Sequence, residues 1–148
     1  MSSEPRHRVE LTAEVAASPD ETFTYLTDHF FELWPGKAKV LEAGSDPAEP
    51  MGLGMVRWMD PPGSAVLEER IVTHERPRLI EYVVINEAPI HNHLGRLELT
   101  PAGSGTRLDY SIAFDYKPAA AGAVAAGVLR ATWAVNGRRR MRAALGKP

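Results

Sequence analysis

The chain contains no cysteine, which excludes disulfide bonds, thiolate nucleophiles and cysteine-ligated zinc sites. It also lacks any run of about 20 apolar residues, so no membrane-spanning helix is predicted. The first six residues, MSSEPR, are polar and lack the apolar stretch of a signal peptide. A formal net charge of −2 gives no reason to expect nucleic-acid binding by the whole surface. We therefore expect a cytoplasmic protein that neither spans a membrane nor binds nucleic acid.

The composition is that of a globular protein with a buried core. Hydrophobic residues make up 44% and charged residues 24% of the 148 positions. The pattern shows no internal repeat and no interdomain linker. We expect one domain over residues 1–148.

The first part of the chain predicts one strand followed by two short helices. Residues 7–16 alternate between apolar and polar side chains, as in a half-buried strand. Ser18, Pro19 and Glu21 form a helix start with a capping box. Large apolar residues then recur at helical spacing up to Trp34, with a break in phase near Asp28.

The middle of the chain predicts a meander of six further strands. They are expected at residues 37–43, 53–59, 64–75, 79–86, 91–100 and 106–116, with tight turns at 60–63 and 101–105.

The last long segment, residues 117–145, reads as one helix made largely of small residues. Gly122 and Gly127 lie among alanines, and Trp133 is its one large aromatic residue. Short side chains mean that a neighbouring sheet either packs very close to this helix or leaves a void. The basic run 138–142 is interpreted as a solvated helix end, where cations offset the negative end of the helix dipole. Together, the elements predict an α+β fold with an antiparallel sheet covered on one face.

Three short motifs carry a family resemblance. They are Ser18-Pro19-Asp20-Glu21-Thr22-Phe23, Trp34-Pro35 and Glu75-Arg76-Pro77-Arg78-Leu79. In this element order, the chain resembles the SRPBCC superfamily, and most of all its polyketide cyclase/dehydrase-like bacterial members, relatives of START and birch-pollen-allergen domains. The resemblance implies a helix-grip fold: a seven-stranded antiparallel sheet wrapped around the C-terminal helix, two short helices between strands 1 and 2, and a cavity inside.

Candidate catalytic residues follow from assigning faces to the strands. The spacing of His91 and His93 places both imidazoles on the inner face, as a general acid–base pair or as two metal ligands. No third ligand is visible, so no metal site is expected. No cofactor is expected either. Tyr110 lies on the inner face of the last strand, and Glu69 enters the cavity if Ile71 points inward. The alternative for the histidines is a strand-end position where they bond to neighbours or water.

A second set of residues is predicted to contact a ligand. Trp133 and Asn136 would floor the cavity by stacking and hydrogen bonding, although Trp133 could instead simply fill the closed end of the sheet. The complete ligand-binding set is Trp34, Tyr82, Asn86, Ile112, Phe114, Leu129, Trp133 and Asn136.

Family members include cyclases, lipid and hormone carriers and Hsp90-activator-like domains, without a shared catalytic motif. We expect this chain to bind a small hydrophobic molecule (aromatic, lipid or polyketide-like) as a monomer or homodimer. A polyketide cyclase, aromatase or dehydratase is the first alternative, because cyclisation needs mainly shape, exclusion of water and one or two acid–base groups. An Hsp90-activator-like interaction domain is the second.

Overall fold

In the computed structural model, which describes residues 3–148, seven strands form one antiparallel sheet in the order β1-β7-β6-β5-β4-β3-β2. The first two residues of the predicted domain 1–148 lie outside the described residues. The strands are β1 His7–Val15, β2 Lys37–Glu42, β3 Val56–Asp60, β4 Leu67–Glu75, β5 Leu79–Val84, β6 Ile90–Ala102 and β7 Gly105–Tyr116. From β2 to β7 each strand pairs with its neighbour in sequence, and β7 also pairs with β1. The connection between β2 and β3, residues 43–55, is the longest of this meander.

Two short helical segments connect β1 to β2, as predicted. Helix α1, Pro19–Asp28, begins where Ser18 Oγ accepts a hydrogen bond from the Glu21 amide at 3.2 Å. A 3₁₀ turn, Phe30–Glu32, follows after the change of direction at His29. The predicted phase break near Asp28 is confirmed.

The C-terminal helix is continuous over residues 119–145 but not uniform. It comprises a 3₁₀ turn Ala119–Ala121, helix α2 Gly122–Thr132, a π turn Trp133–Gly137 and helix α3 Arg138–Leu145. The single long helix is confirmed, whereas the π turn was not predicted. A β-carbon at Gly137 would lie 2.4 Å from Cε3 of Trp133, so the indole packs directly on the backbone of the next turn. Single π turns of this kind insert a residue into an α-helix and re-aim its side chains.

The C-terminal helix packs on the sheet mainly through β1. Its buried residues Ala126, Trp133 and Met141 pack into a core that includes Val9 and Phe114. The prediction that small residues permit close packing holds at Gly122, where a β-carbon would lie 2.1 Å from Nε2 of His7. It does not hold at Gly127, which has no such neighbour within 4 Å.

The predicted strand limits are wrong mainly next to turns. β3 begins at Val56 rather than residue 53, because Gly54 has a left-handed backbone (φ 86°) that ends the preceding turn. β4 begins at Leu67 rather than residue 64, which leaves a longer loop at 61–66. Within residues 3–148, no helix is long and apolar enough to cross a membrane.

Candidate functional site: a cavity between sheet and helix

A cavity of about 370 Å³ lies between the inner face of the sheet, the C-terminal helix and three loops. Its walls are mostly apolar and include Phe30, Trp34, Met59, Ile112 and Leu129. Glu69 is the one Asp, Glu, Lys or Arg side chain among the lining residues that the structure describes, and it shares the cavity with the polar side chains of Tyr82, His93 and Tyr116. An apolar pocket with a few convergent polar groups is the usual form of a small-molecule site.

Glu69 is held by a buried ion pair. It points inward together with Ile71, which settles the face of β4 that the sequence left open. Arg57 lies directly opposite on β3, and its Nε donates a hydrogen bond to Glu69 Oε1 at 2.8 Å. The exposed fractions of the two residues are 2% for Arg57 and 5% for Glu69. The pair places a neutralised carboxylate at the cavity wall.

The guanidinium of Arg57 is enclosed by aromatic rings. Its Cζ lies 3.6 Å from the ring centroid of Phe30 and 4.5 Å from that of Tyr82. Arg57 Nη2 is buried without a hydrogen-bond partner among residues 3–148. Sequence reasoning missed Arg57, because the predicted turn at 60–63 pairs it with Val66, whereas the observed loop at 61–66 places it opposite Glu69. If one points inward, its cross-strand partner does too.

Tyr82 lies flat on the backbone of the neighbouring strand. Its cross-strand partner is Gly95, where a β-carbon would be 2.2 Å from the ring. The absence of a side chain there lets the ring reach across the sheet, and its hydroxyl bonds to that of Tyr110. Burial raises the pKa of both phenols, so both remain neutral near pH 7.

His93 presents a hydrogen-bond donor to the cavity. The amide of Val84 donates to His93 Nδ1 at 3.2 Å, so the neutral ring carries its proton on Nε2. Burial lowers the pKa of His93, with a smaller opposing effect from Glu69, and the ring is therefore neutral at pH 7. Nε2–H has no partner among the hydrogen bonds of the described residues, which leaves it free for a ligand.

The expectation that His91 and His93 share a strand face is wrong. A bulge between His91 and Leu94 shifts the register of β6 against β7. Asn92 takes a left-handed conformation (φ 47°), and its Nδ2 donates to Asp115 Oδ2 at 3.1 Å. The extra residue reverses the alternation, so that Ile90 and His93 line the cavity. The Nδ1 atom of His91 instead lies 3.1 Å from the carbonyl oxygen of Pro89.

The two predicted asparagines bind backbone rather than lining the cavity. Asn86 Oδ1 accepts a hydrogen bond from the Glu68 amide at 2.8 Å, and its Nδ2 donates to the carbonyl of Val66 at 3.0 Å. These two bonds hold the start of β4 in place. Asn136 donates a hydrogen bond to the carbonyl of Leu33 at 2.8 Å, which connects the π turn to the end of the 3₁₀ turn Phe30–Glu32. Their side-chain amides are used for these structural contacts.

Three predicted aromatic residues, Tyr110, Phe114 and Trp133, lie behind the residues that line the cavity. Trp133 is fully buried, donates from Nε1 to the carbonyl of Thr12 at 3.0 Å, and packs edge-on against Tyr110 at 5.4 Å. Phe114 is fully buried and stacks on His7 at 5.4 Å. None of the three lines the cavity. Of the two readings for Trp133, filling the closed end is the one the structure shows.

Six predicted residues therefore meet at the cavity. They are Trp34, Glu69, Tyr82, His93, Ile112 and Leu129. Loop residues 61–65 and the helix residues Val124 and Val128 also line it and were not predicted. Residues 3–148 contain no group of three His, Asp or Glu side chains placed to hold a metal ion.

Comparison with known proteins places these features in a family. A family model described as polyketide cyclase/dehydrase and lipid transport matches residues 6–147. No curated protein matches the chain significantly.

Solved structures show the same fold at low sequence identity. The Aha1 dimer from Colwellia psychrerythraea is 14% identical, with 96% of this chain and 99% of that chain covered and a TM-score of 0.69. A truncated norcoclaurine synthase from Thalictrum flavum is 20% identical, with 100% and 99% covered and a TM-score of 0.67. Protein Ms6760 from Mycobacterium smegmatis is 16% identical, with 93% and 90% covered and a TM-score of 0.64.

Proposed function

The chain belongs to the polyketide cyclase/dehydrase and lipid-transport family of the SRPBCC superfamily, and we propose that it binds a small, mainly hydrophobic molecule between its sheet and C-terminal helix. The observation that carries this proposal is the cavity itself, with apolar walls and polar groups gathered on one side. Its volume of about 370 Å³ is near the lower end of the roughly 300–1,000 Å³ typical of ligand pockets. A compact ligand fits better than a long lipid chain.

The polar wall supports a ligand with one polar end. His93 offers a fixed N–H donor, and Glu69 offers a carboxylate whose charge Arg57 balances. A neutral hydroxyl or an enol can accept from the first and donate to the second. A free carboxylate would meet Glu69 unfavourably, because the cavity supplies no unpaired cation against it.

Ligand binding can be tested with a panel of small phenols, ketones and fatty acids, measured by thermal shift and native mass spectrometry. Ala125 lines the cavity, whereas Ala123 on the same helix is exposed. Ala125→Trp should fill the cavity and abolish the shifts that the unchanged protein shows. Ala123→Trp is the matched control and should keep them. Equal binding by the two variants, or no binding by the unchanged protein, would contradict the proposal.

Catalysis of a cyclase or dehydratase type is the second candidate, supported by the position of Glu69, Tyr82 and His93 on one wall. In such a reaction, the Nε2–H of His93 would stabilise a developing enolate oxygen, and Glu69 would accept a proton from the adjacent carbon. Glu69 and Tyr82 already bond to Arg57 and Tyr110, and no hydrogen bond joins Glu69 to His93 in the described residues, so binding is the stronger reading. His93→Gln and Glu69→Gln should lower turnover of a poly-β-ketone analogue more than they weaken its binding. Unchanged turnover in both variants would remove this candidate.

A further inference from the structure

The charges of the chain are segregated along the sequence. All 19 acidic residues precede residue 117, whereas residues 117–148 hold seven of the 17 basic residues and no acid. The C-terminal helix is therefore a cationic element on a chain whose net charge is −2. A local excess of one sign attracts an oppositely charged surface even when the whole molecule is nearly neutral.

The outer side of the same helix is apolar. Val124, Val128 and Val135 are 69%, 58% and 62% exposed. Arg130 is the one charged residue among the exposed positions from 123 to 135. A helix on a globular protein normally turns polar residues to water, and a contiguous exposed apolar face marks an interaction site.

The apolar face and the basic residues meet at a groove on the surface. Val135, Arg139 and Arg140 line this open groove of about 560 Å³. Glu32 also lines it, and its Oε2 lies 3.0 Å from Nδ1 of His29. The valines and the two arginines can therefore contact one partner together.

The other end of the apolar face borders the cavity mouth. Val124 and Val128 line the cavity from the helix side. The loop residues 62–65 line it from the opposite side, and they are exposed and carry no charge. The mouth is thus rimmed by uncharged residues on both sides.

We propose that the C-terminal helix docks the cavity mouth onto an anionic phospholipid surface. Val124 and Val128 enter the boundary between headgroups and acyl chains, while Arg139 and Arg140 contact lipid phosphates. A bilayer offers an apolar phase and anionic groups at the depths that this face requires. A second copy of the same face would bring cations against cations, which opposes that form of dimer. Docking does not require an occupied cavity, so it stands or falls separately from the proposed function.

Sedimentation with phospholipid vesicles tests the electrostatic part. The protein should bind vesicles of phosphatidylcholine with about one third phosphatidylglycerol, and bind much less to phosphatidylcholine alone. A cation near such a surface is worth about fivefold in affinity, so Arg139→Gln/Arg140→Gln should bind about 30-fold more weakly. The control Arg8→Gln/Arg78→Gln removes the same charge from two exposed arginines elsewhere and should change affinity by less than about threefold. Equal loss in both variants would overturn the proposal.

Fluorescent labelling tests the insertion of the valines. Because the chain has no cysteine, Val128→Cys carries one environment-sensitive label, and Val72→Cys places the same label on an exposed sheet position as the control. Anionic vesicles should shift the emission to the blue at residue 128 and leave it unchanged at residue 72. The absence of a blue shift at residue 128 would overturn the proposal. So would a protein that forms dimers through these valines and does not bind vesicles.

Discussion

Breaking the Arg57–Glu69 pair should cost a large part of the protein's stability. Arg57→Met keeps most of the side-chain length but removes the guanidinium that hydrogen-bonds to Glu69 at 2.8 Å. The carboxylate would then lie at a site where the side chain is 6% exposed, without a neutralising partner. Removing one member of a buried ion pair costs about 3–5 kcal/mol. Contact of the guanidinium with the rings of Phe30 and Tyr82 adds to that loss.

The double variant Arg57→Met/Glu69→Met should recover most of this loss. Replacing both members with apolar groups leaves no charge to desolvate, and such replacements are often neutral or stabilising. The free energy of unfolding would be measured by urea denaturation, followed by circular dichroism, for the unchanged protein, the two single variants and the double variant. A loss below about 1 kcal/mol for Arg57→Met would show that water reaches the pair and would refute the reasoning. So would a double variant no more stable than the Arg57→Met single variant.

Three further predictions concern single residues. Gly127→Ala should raise the free energy of unfolding by about 0.5–1 kcal/mol, because alanine has the higher helix propensity. Gly122→Ala should lower the free energy of unfolding, because its β-carbon would meet His7. Thermal melts in which the Gly122→Ala protein has the higher melting temperature of the two would contradict this. Gly95→Ala should displace Tyr82 and lower the free energy of unfolding by about 1–3 kcal/mol, and an unchanged urea midpoint would disprove the close contact. Burial lowers the pKa of His74, so the folded state binds its proton less readily than the unfolded chain. The free energy of unfolding should therefore fall as the pH drops below about 6.5, and it should fall less steeply in His74→Gln. If the unfolding free energies of the two proteins change in parallel with pH, His74 does not cause the pH dependence.

Alternation of apolar residues was enough to predict the strands and the sheet. It works because one face of each strand is buried against the helix, so the side-chain period of two is imposed by the core. The start of α1 was equally predictable, since Ser18 and Pro19 satisfy the first amides of a helix in a known way. These signals are local and need no knowledge of the partner strand.

Two of the predicted site residues, His91 and Asn136, lie elsewhere because an extra residue changes the alternation of side chains along the backbone. A bulge at Asn92 reverses the side-chain alternation, which moved His91 out of the site. The π turn at Trp133–Gly137 does the same on the helix and directs Asn136 to the 3₁₀ turn. Asn92 is the sequence signal for this bulge, since asparagine tolerates the left-handed backbone that the bulge uses.

A gradient of side-chain size along the C-terminal helix explains why a cavity exists at all. Toward its C-terminal end, Trp133 and Met141 are fully buried and fill the space below the sheet. Toward its N-terminal end, the cavity meets small side chains such as Ala121 and Ala125, which cannot fill the same distance. At Gly122 the helix backbone already lies against His7, with no room for a β-carbon, and this contact opposes a closer approach of the helix to β1. The size of the pocket is therefore set by the residues that hold the helix away from the sheet, as much as by the residues that line it.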